Sequence, residues 1–377
     1  MKRRYLMTPG PSPVPSFIRE ALAQEIMHHR TEEFIEILKE TNENIKYLFC
    51  TQNPVVTLTS SGTGAMEAAV ANLFSAKDKV AAVCGGKFGE RWLEIAKAYS
   101  LDTIQFDVEW GTSPSVEKLK KIMDENKDLK GILTTLSETS TATVFDIAAL
   151  AALTKGTNVL LVVDAISGLG QDTLKSDEWG VDVVVSGSQK GLMLPPGLAF
   201  ISVSPKAQNA MKTATLPKYY FNLTKALKAY EKNDTPWTPA VSLIVGLRES
   251  LKAVKQEPME AHWARYQKMA QGCREAGASI GLKVYSQSPS SSVTAFRVPE
   301  GINAKDIVKK MRREYGISIA AGQGDIEEKV IRIATMGWIN EQDLLMCFSV
   351  LEKVLKDMGY KFKLGASVAR LQEVLYS

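Results

Sequence analysis

The chain has 377 residues, of which 45% are apolar, 23% charged and 8% aromatic, a balance that excludes disordered, collagen-like and coiled-coil classes and supplies a sizeable core. Its 46 lysines and arginines against 42 aspartates and glutamates leave a net charge of +4, spread along the chain, which argues against nucleic acid as a partner. Four cysteines without a CxxC pair and only three histidines make no zinc set, so no metal is expected and the thiols read as reduced.

Met1-Lys2-Arg3-Arg4 resembles the basic start of a secretory signal, but Leu6-Met7-Thr8-Pro9-Gly10-Pro11 provides no apolar segment after it; no signal peptide and a cytoplasmic location are expected. Pro9, Pro11, Pro13 and Pro15 make residues 1–20 an extended arm that turns helical near Ser16 to Gln24. Apolar runs poor in charge follow at Val55–Thr59, Val80–Cys84, Thr103–Phe106, Gly131–Thr135, Asn158–Val163, Asp182–Ser186 and Leu198–Val203, interleaved with helical patterns such as Ala65–Phe74, Glu90–Ala98 and Val116–Glu125. Strands buried on both faces read this way. Residues 21–256 are therefore expected to form a large α/β domain with a doubly wound, mostly parallel sheet.

The longest apolar stretch, Ile147 to Val163, is broken by Lys155 and Asn158 and is too short for a membrane span. After Glu257-Pro258 the texture changes: a long helix near Met259–Ala276, strands near Leu282–Ser286 and Ser292–Val298, a helix near Ala304–Glu314, a strand around Ile331 and a helix Glu341–Met358. Residues 257–377 read as a smaller α+β domain, in keeping with a chain too long for one core. The run Ser288-Pro289-Ser290-Ser291-Ser292 reads as a loop without chemistry.

In open α/β sheets ligands gather at the carboxyl ends of the strands. The first strand runs into Ser60-Ser61-Gly62-Thr63-Gly64 and a helix, where free N–H groups and the helix dipole suit a phosphate, although an ordinary turn would look the same. Asp164 follows Val159-Leu160-Leu161-Val162-Val163, so it is expected to be buried and to need a partner; a capping aspartate shaping the turn with Ser167 is the plainer reading. Val183-Val184-Val185 leads to Ser186-Gly187-Ser188-Gln189-Lys190-Gly191, one lysine among small residues, where desolvation turns the ammonium into an amine nucleophile. A phosphate cradle, a strand-end carboxylate and a strand-end lysine are together what pyridoxal 5'-phosphate requires: the lysine bonds its carbonyl, the carboxylate pairs with its ring nitrogen and the helix start holds its phosphate.

The chain also resembles, over nearly its whole length, the class V aminotransferases of fold type I, in particular the alanine–glyoxylate and serine–pyruvate group. The segments that carry the resemblance are Thr8-Pro9-Gly10-Pro11, His29-Arg30, Ser61-Gly62-Thr63-Gly64 with Glu67-Ala68-Ala69, Phe88-Gly89-Glu90-Arg91, Glu138-Thr139-Ser140-Thr141, Asp164 with Ser167, Ser186-Gly187-Ser188-Gln189-Lys190, Pro195-Pro196-Gly197, Leu247-Arg248-Glu249 and Arg332-Ile333. It implies that Lys190 bonds the cofactor and then moves protons, and that Asp164 faces the ring nitrogen. Ser61, Gly62, Thr63 and Gln189 would line the phosphate, Phe88 would stack on the ring, Thr139 would lie on the ring-hydroxyl side, and Ser167 near the ring nitrogen. Arg332, flanked by Ile331 and Ile333, would grip the substrate carboxylate through two parallel hydrogen bonds; a surface ion pair is its plainer alternative. Thr235 or Thr238, in Thr235-Pro236-Trp237-Thr238-Pro239, would reach the phosphate of a neighbouring subunit, which implies a homodimer with shared active sites.

The resemblance thus implies an aminotransferase that moves the amino group of serine or alanine to pyruvate or glyoxylate by a ping-pong cycle, with aspartate or another amino donor as the alternative. Three positions depart from the family pattern: Ala142 and His28 stand where glycine is usual, at what should be the substrate entrance, and Gly191 would alter the space around the cofactor. Cysteine desulfurases carry His before the lysine, where this chain has Gln189. Phosphoserine and aminophosphonate transaminases share the fold but match the Ser-Gly-Ser-Gln-Lys and Pro-Pro-Gly segments less well. A nicotinamide-dependent dehydrogenase would need GxGxxG, and Ser-Gly-Thr-Gly-Ala-Met lacks the third glycine. A catalytically silent binding subunit of the same fold would have no need of Lys190, Asp164 and Arg332 together.

Overall fold

In the computed structural model, which describes residues 4–377, seven strands form one sheet; Met1 to Arg3, where the basic start was read, lie outside the described residues. The strand order is Val55–Ser60, Gly197–Val203, Val183–Gly187, Leu160–Asp164, Leu129–Thr135, Lys79–Cys84 and Asp102–Asp107. Gly197–Val203 runs antiparallel to both neighbours, and the remaining neighbouring pairs are parallel. Alternate residues of the same strand enter different cores. Leu161, Val163 and Val184 pack with Ile45, Phe49 and Leu150 on one face; Leu160, Val162, Val183 and Val185 pack with Met66, Val70 and Trp92 on the other. Helices on both faces explain why these strands are apolar throughout rather than alternating.

All seven expected strands are present, with ends shifted by a residue or two. Two helices start earlier than their apolar periodicity indicates. Gly62–Leu73 begins directly behind Ser61, and Lys87–Ala98 gains an extra turn because the Glu138 carboxylate accepts the N–H groups of Phe88 and Gly89, 3.1 and 3.0 Å away. First-turn N–H groups have no acceptor within their own helix, so a distant carboxylate extends it. The stretch Ile147 to Val163 divides into the helix Ile147–Thr154 and the strand Leu160–Asp164, and among the described residues no helix is long and apolar enough to cross a membrane.

A second, antiparallel sheet comprises Lys283–Val284, Val293–Arg297, Val330–Ala334 and Ala320–Ala321 in that order. Its core of Phe296, Ile333, Phe348 and Leu351 is separate from the other two. The long helix Met259–Ser279 spans both regions, placing Trp263 in a core of the large sheet and Tyr266 and Met269 in this one. The expected helix Ala304–Glu314 is regular to Lys310 and then widens into a π turn, Met311–Tyr315. A final helix, Ala366–Tyr376, had no counterpart in the sequence reading. Its start is fixed by the buried Glu352, which accepts bonds from the N–H groups of Gly365 and Ser367 and from the Ser367 hydroxyl.

Two segments join the sheets. In the arm, Tyr5–Leu6 pairs in parallel with Ile317–Ser318, Met7 is buried in the second core, and the Ser12 hydroxyl donates to the Lys190 carbonyl at 2.7 Å. The serine run, read as a plain loop, is instead a buried tie. Ser290 Oγ lies 2.7 Å from Asp172 and 2.8 Å from both Ser137 Oγ and Ser292 Oγ, and the Ser291 N–H donates to Asp172 at 2.6 Å. Serines are short enough to enter the joint and still satisfy a carboxylate there.

Candidate active site

Ser61, Gly62, Thr63, Phe88, Gln189 and Lys190 border one cleft of about 240 Å³ at the carboxyl ends of the strands, joined by Arg91, Ile166 and Pro196. A larger cleft of about 320 Å³, between Met193, Tyr266 and Trp338, holds none of the expected residues, so chemistry rather than size selects the site. Ser61 stands extended before the helix Gly62–Leu73, its hydroxyl making no cap bond, so the hydroxyl and the helix start are free for a ligand. Gly62 is needed because a Cβ there would overlap the Ile166 side chain. The side-chain amide oxygen of Gln189 is buried with no hydrogen-bond partner.

Asp164 ends its strand fully buried, and a single N–H, that of Ile166 at 2.8 Å, serves its carboxylate. Burial pushes its pKa up to about 7, with that N–H, Arg91 and Lys190 opposing the rise. Lys190 is 8% exposed. Its Nζ donates to the Pro9 carbonyl, and burial lowers its pKa to about 8 against the pull of Asp164. Asp164 is the last residue of its strand and Lys190 lies just past the end of the adjacent parallel strand, and each stabilises the other's charge at a place where both are costly.

Arg332 is buried in the middle of Val330–Ala334. Its Nε donates to the Ala321 carbonyl at 2.9 Å and its Nη1 to the Thr139 carbonyl at 2.8 Å. Burial lowers its pKa to about 10, opposed by Glu138. No carboxylate among the described residues pairs with it, so the surface-ion-pair reading fails and the rest of the guanidinium fork is free for an anion. Thr139 also donates its hydroxyl to Ser167 Oγ at 2.5 Å, which ties the arginine's anchor to the loop that follows Asp164.

Thr235 and Thr238 are not brought to this cleft. They border a separate recess with Tyr220 and Thr57, where the Thr235 hydroxyl is taken by the Trp237 carbonyl at 2.8 Å and Thr238 is exposed. Gly191 does not border the cofactor side: a Cβ there would meet the Leu169 carbonyl at 2.5 Å and the Gln171 amide at 2.7 Å, behind the lysine loop. Ala142 holds a left-handed φ of 57° with its methyl buried against Val293 and Ile326, beneath the surface rather than at an entrance. His28 is exposed beside His29. Cys347 is buried in the second core.

Two residues near the cleft stand in the segments that carry the family resemblance but have no role assigned from sequence. Glu138 receives four hydrogen bonds and fixes the turn that presents Phe88; the available signal was a charge directly behind an apolar strand. Arg91 enters the cleft one helical turn after Phe88, and the three-residue spacing was its signal.

A family model described as aminotransferase class-V matches residues 5–335. A protein named soluble hydrogenase, small subunit, from Synechococcus sp. is 41% identical over 99% of this chain and 98% of its own length. A serine–glyoxylate aminotransferase from Methylorubrum extorquens is 34% identical over 99% of this chain and 96% of its own. The solved structure of an aspartate aminotransferase of subgroup IV from Thermus thermophilus superposes with a TM-score of 0.87 at 34% identity, covering 94% of this chain and 99% of that one.

Proposed function

The chain belongs to the class-V aminotransferase family, which is pyridoxal phosphate-dependent, and from that premise we propose that it transfers the amino group of serine or alanine to a small 2-oxo acid, glyoxylate or pyruvate. The observation that carries this reading is the buried Asp164 acting on Lys190, which borders the cleft, with Arg332 of the second sheet tied through Thr139 to the loop that follows Asp164. The hydrogenase name of the cyanobacterial relative stays with that protein. Aspartate is the competing donor, because a structure so named is as similar as the serine enzyme.

The cleft suits the cofactor on its own chemistry: it is bordered by the hydroxyls of Ser61 and Thr63 at a helix start, an aromatic ring and the Lys190 amine, with the Asp164 carboxylate buried close to that amine. Ser61, Gly62, Thr63 and Gln189 hold the phosphate, Phe88 covers the ring, Asp164 faces the ring nitrogen, and Thr139 and Ser167 lie toward the ring hydroxyl. When bound, the cofactor supplies an electron sink for the substrate's α-carbon. Lys190 does the proton work. With its pKa near 8, Nζ is an amine for an appreciable fraction of the time at neutral pH, able to bond a carbonyl and, once displaced, to carry the α-proton to the neighbouring carbon. Arg332 fixes the substrate carboxylate and thereby orients the α-hydrogen toward Nζ. Asp164 holds negative charge where the ring nitrogen becomes positive.

The exposed Thr238, more readily than the occupied Thr235, reaches the phosphate end of a neighbouring subunit in a homodimer. The visible absorption spectrum of the purified protein tests the whole reading, recorded as serine, alanine and aspartate are added in turn, with Lys190→Ala alongside. A yellow band that serine or alanine bleaches, and that the variant cannot convert, is the expected result. Bleaching by aspartate alone moves the assignment to that donor. A protein that stays colourless with added pyridoxal phosphate overturns the enzyme and favours a silent binding subunit.

A further inference from the structure

The cofactor's phosphate carries roughly −1.5 to −2 charges near neutrality, and the residues assigned to it, Ser61, Gly62, Thr63 and Gln189, are all neutral. The start of the helix Gly62–Leu73 offers about half a positive charge. Among the side chains bordering the cleft only Arg91 and Lys190 ionise, and Lys190 is committed to the cofactor's carbonyl. Arg91 projects from Lys87–Ala98 on the face that carries Phe88, its guanidinium carbon 4.8 Å from the centre of the Phe88 ring and its Nη1 donating to Thr63 Oγ1 at 3.3 Å. The nearest acid in sequence, Glu90, is taken by Lys87 at 2.7 Å, and no carboxylate among the described residues pairs with Arg91. A guanidinium stacked on an aromatic has a fixed plane, and its fork matches phosphate oxygens.

We infer that Arg91 is the cation that neutralises the cofactor's phosphate, and that it sets phosphate-dependent affinity while propping the ring that covers the cofactor. The inference rests on the pyridoxal phosphate reading above. If Arg91 served only to support Phe88, its loss would weaken any pyridoxal-like ligand, phosphorylated or not.

The test is to titrate the full-length protein, stripped of cofactor, with pyridoxal 5'-phosphate and separately with unphosphorylated pyridoxal, following visible absorbance, for the wild type, Arg91→Gln and Arg91→Lys. Removing a charge-assisted contact should weaken pyridoxal phosphate binding by roughly 10- to 100-fold in Arg91→Gln and change pyridoxal binding less than about threefold, while Arg91→Lys, which keeps the charge but not the planar fork, recovers part of the loss. Equal weakening of both ligands, or no weakening of either, overturns the inference. Should circular dichroism show that Arg91→Gln does not fold, Arg91→Lys decides: affinity for pyridoxal phosphate within about fivefold of wild type supports the charge role, and loss of both ligands alike overturns it. Normal wild-type binding with an unaffected Arg91→Gln removes this inference alone, whereas a wild type that binds neither ligand removes the cofactor reading with it.

Discussion

Asp164 and Asp172 are separated by one short loop, both fully buried, and burial pushes the pKa of each upward. Their surroundings differ. Asp172 is met by the Ser290 hydroxyl and the Ser291 N–H, with Ser137 and Ser292 closing the network around them. Asp164 has the Ile166 N–H and otherwise faces the approach to Lys190. Both carboxylates are costly to desolvate. The protein itself offsets the cost at Asp172, which makes that residue a joint, and leaves it largely unmet at Asp164, as the proposed role opposite a cationic ring nitrogen requires. A buried acid that its own chain leaves under-bonded beside an open cleft is the better candidate for chemistry.

That contrast is open to direct attack. Asp164→Asn should lower the rate of the amino-acid half-reaction by about 10²- to 10³-fold in stopped-flow absorbance, the range found when one preorganised electrostatic partner is removed. The stability of its cofactor-free form should not fall. The folded pKa of about 7 lies above the ordinary carboxylate value of about 3.9, so the native state holds that proton more tightly than the unfolded chain. Stability contributed by Asp164 is therefore lost as pH rises across this window, and the variant should show a flatter pH profile. Asp172→Ala should behave oppositely, costing about 3 kcal/mol in urea unfolding because buried hydroxyls and an N–H lose their acceptor, with kcat of the folded fraction close to wild type. A variant that keeps its stability but loses activity would remove the distinction between the two acids.

Lys190 sharpens the comparison through pH. Its amine pKa of about 8 means that capture of pyridoxal phosphate by the cofactor-free protein should speed up about tenfold per pH unit below that value and level off above it. A flat rate between pH 6 and 9 would show that Asp164 holds the lysine charged or that a different step limits capture. The smallest effect is expected beside the joint, where the Ala142 carbonyl accepts the Ser290 N–H at 3.0 Å. Ala142→Gly relieves about 1 kcal/mol of left-handed strain and forfeits about 0.8 kcal/mol of methyl burial. Chemical unfolding should therefore register a change under about 1 kcal/mol, and a larger loss would mean that the methyl wedges the joint in place.

The large sheet and half of the site were legible because strands buried on both faces mark where apolar sequence stops. Ser61, Asp164 and Lys190 all stand at such stops, and Arg332 was conspicuous as a charge inside an apolar strand. Glu138 was harder to see because its role lies in bonds to Phe88 and Gly89, which are remote in sequence. The serine run was misread for the same reason: Asp172, which gives it meaning, lies on a loop of the other sheet. Thr235 and Thr238 take their expected role only from a neighbouring subunit, and one chain's geometry leaves them away from the cleft.

The arm has a mechanical consequence. Met7 exchanges backbone hydrogen bonds with the second sheet region, its N–H to Ser318 and its carbonyl to Ala334. Two residues later the Pro9 carbonyl receives the Lys190 amine, and Ser12 grips the Lys190 backbone. The strap is too short to carry slack, so the position of the smaller sheet and the freedom of one ammonium group form a single coordinate: any tilt of that sheet is felt at the tip of the lysine.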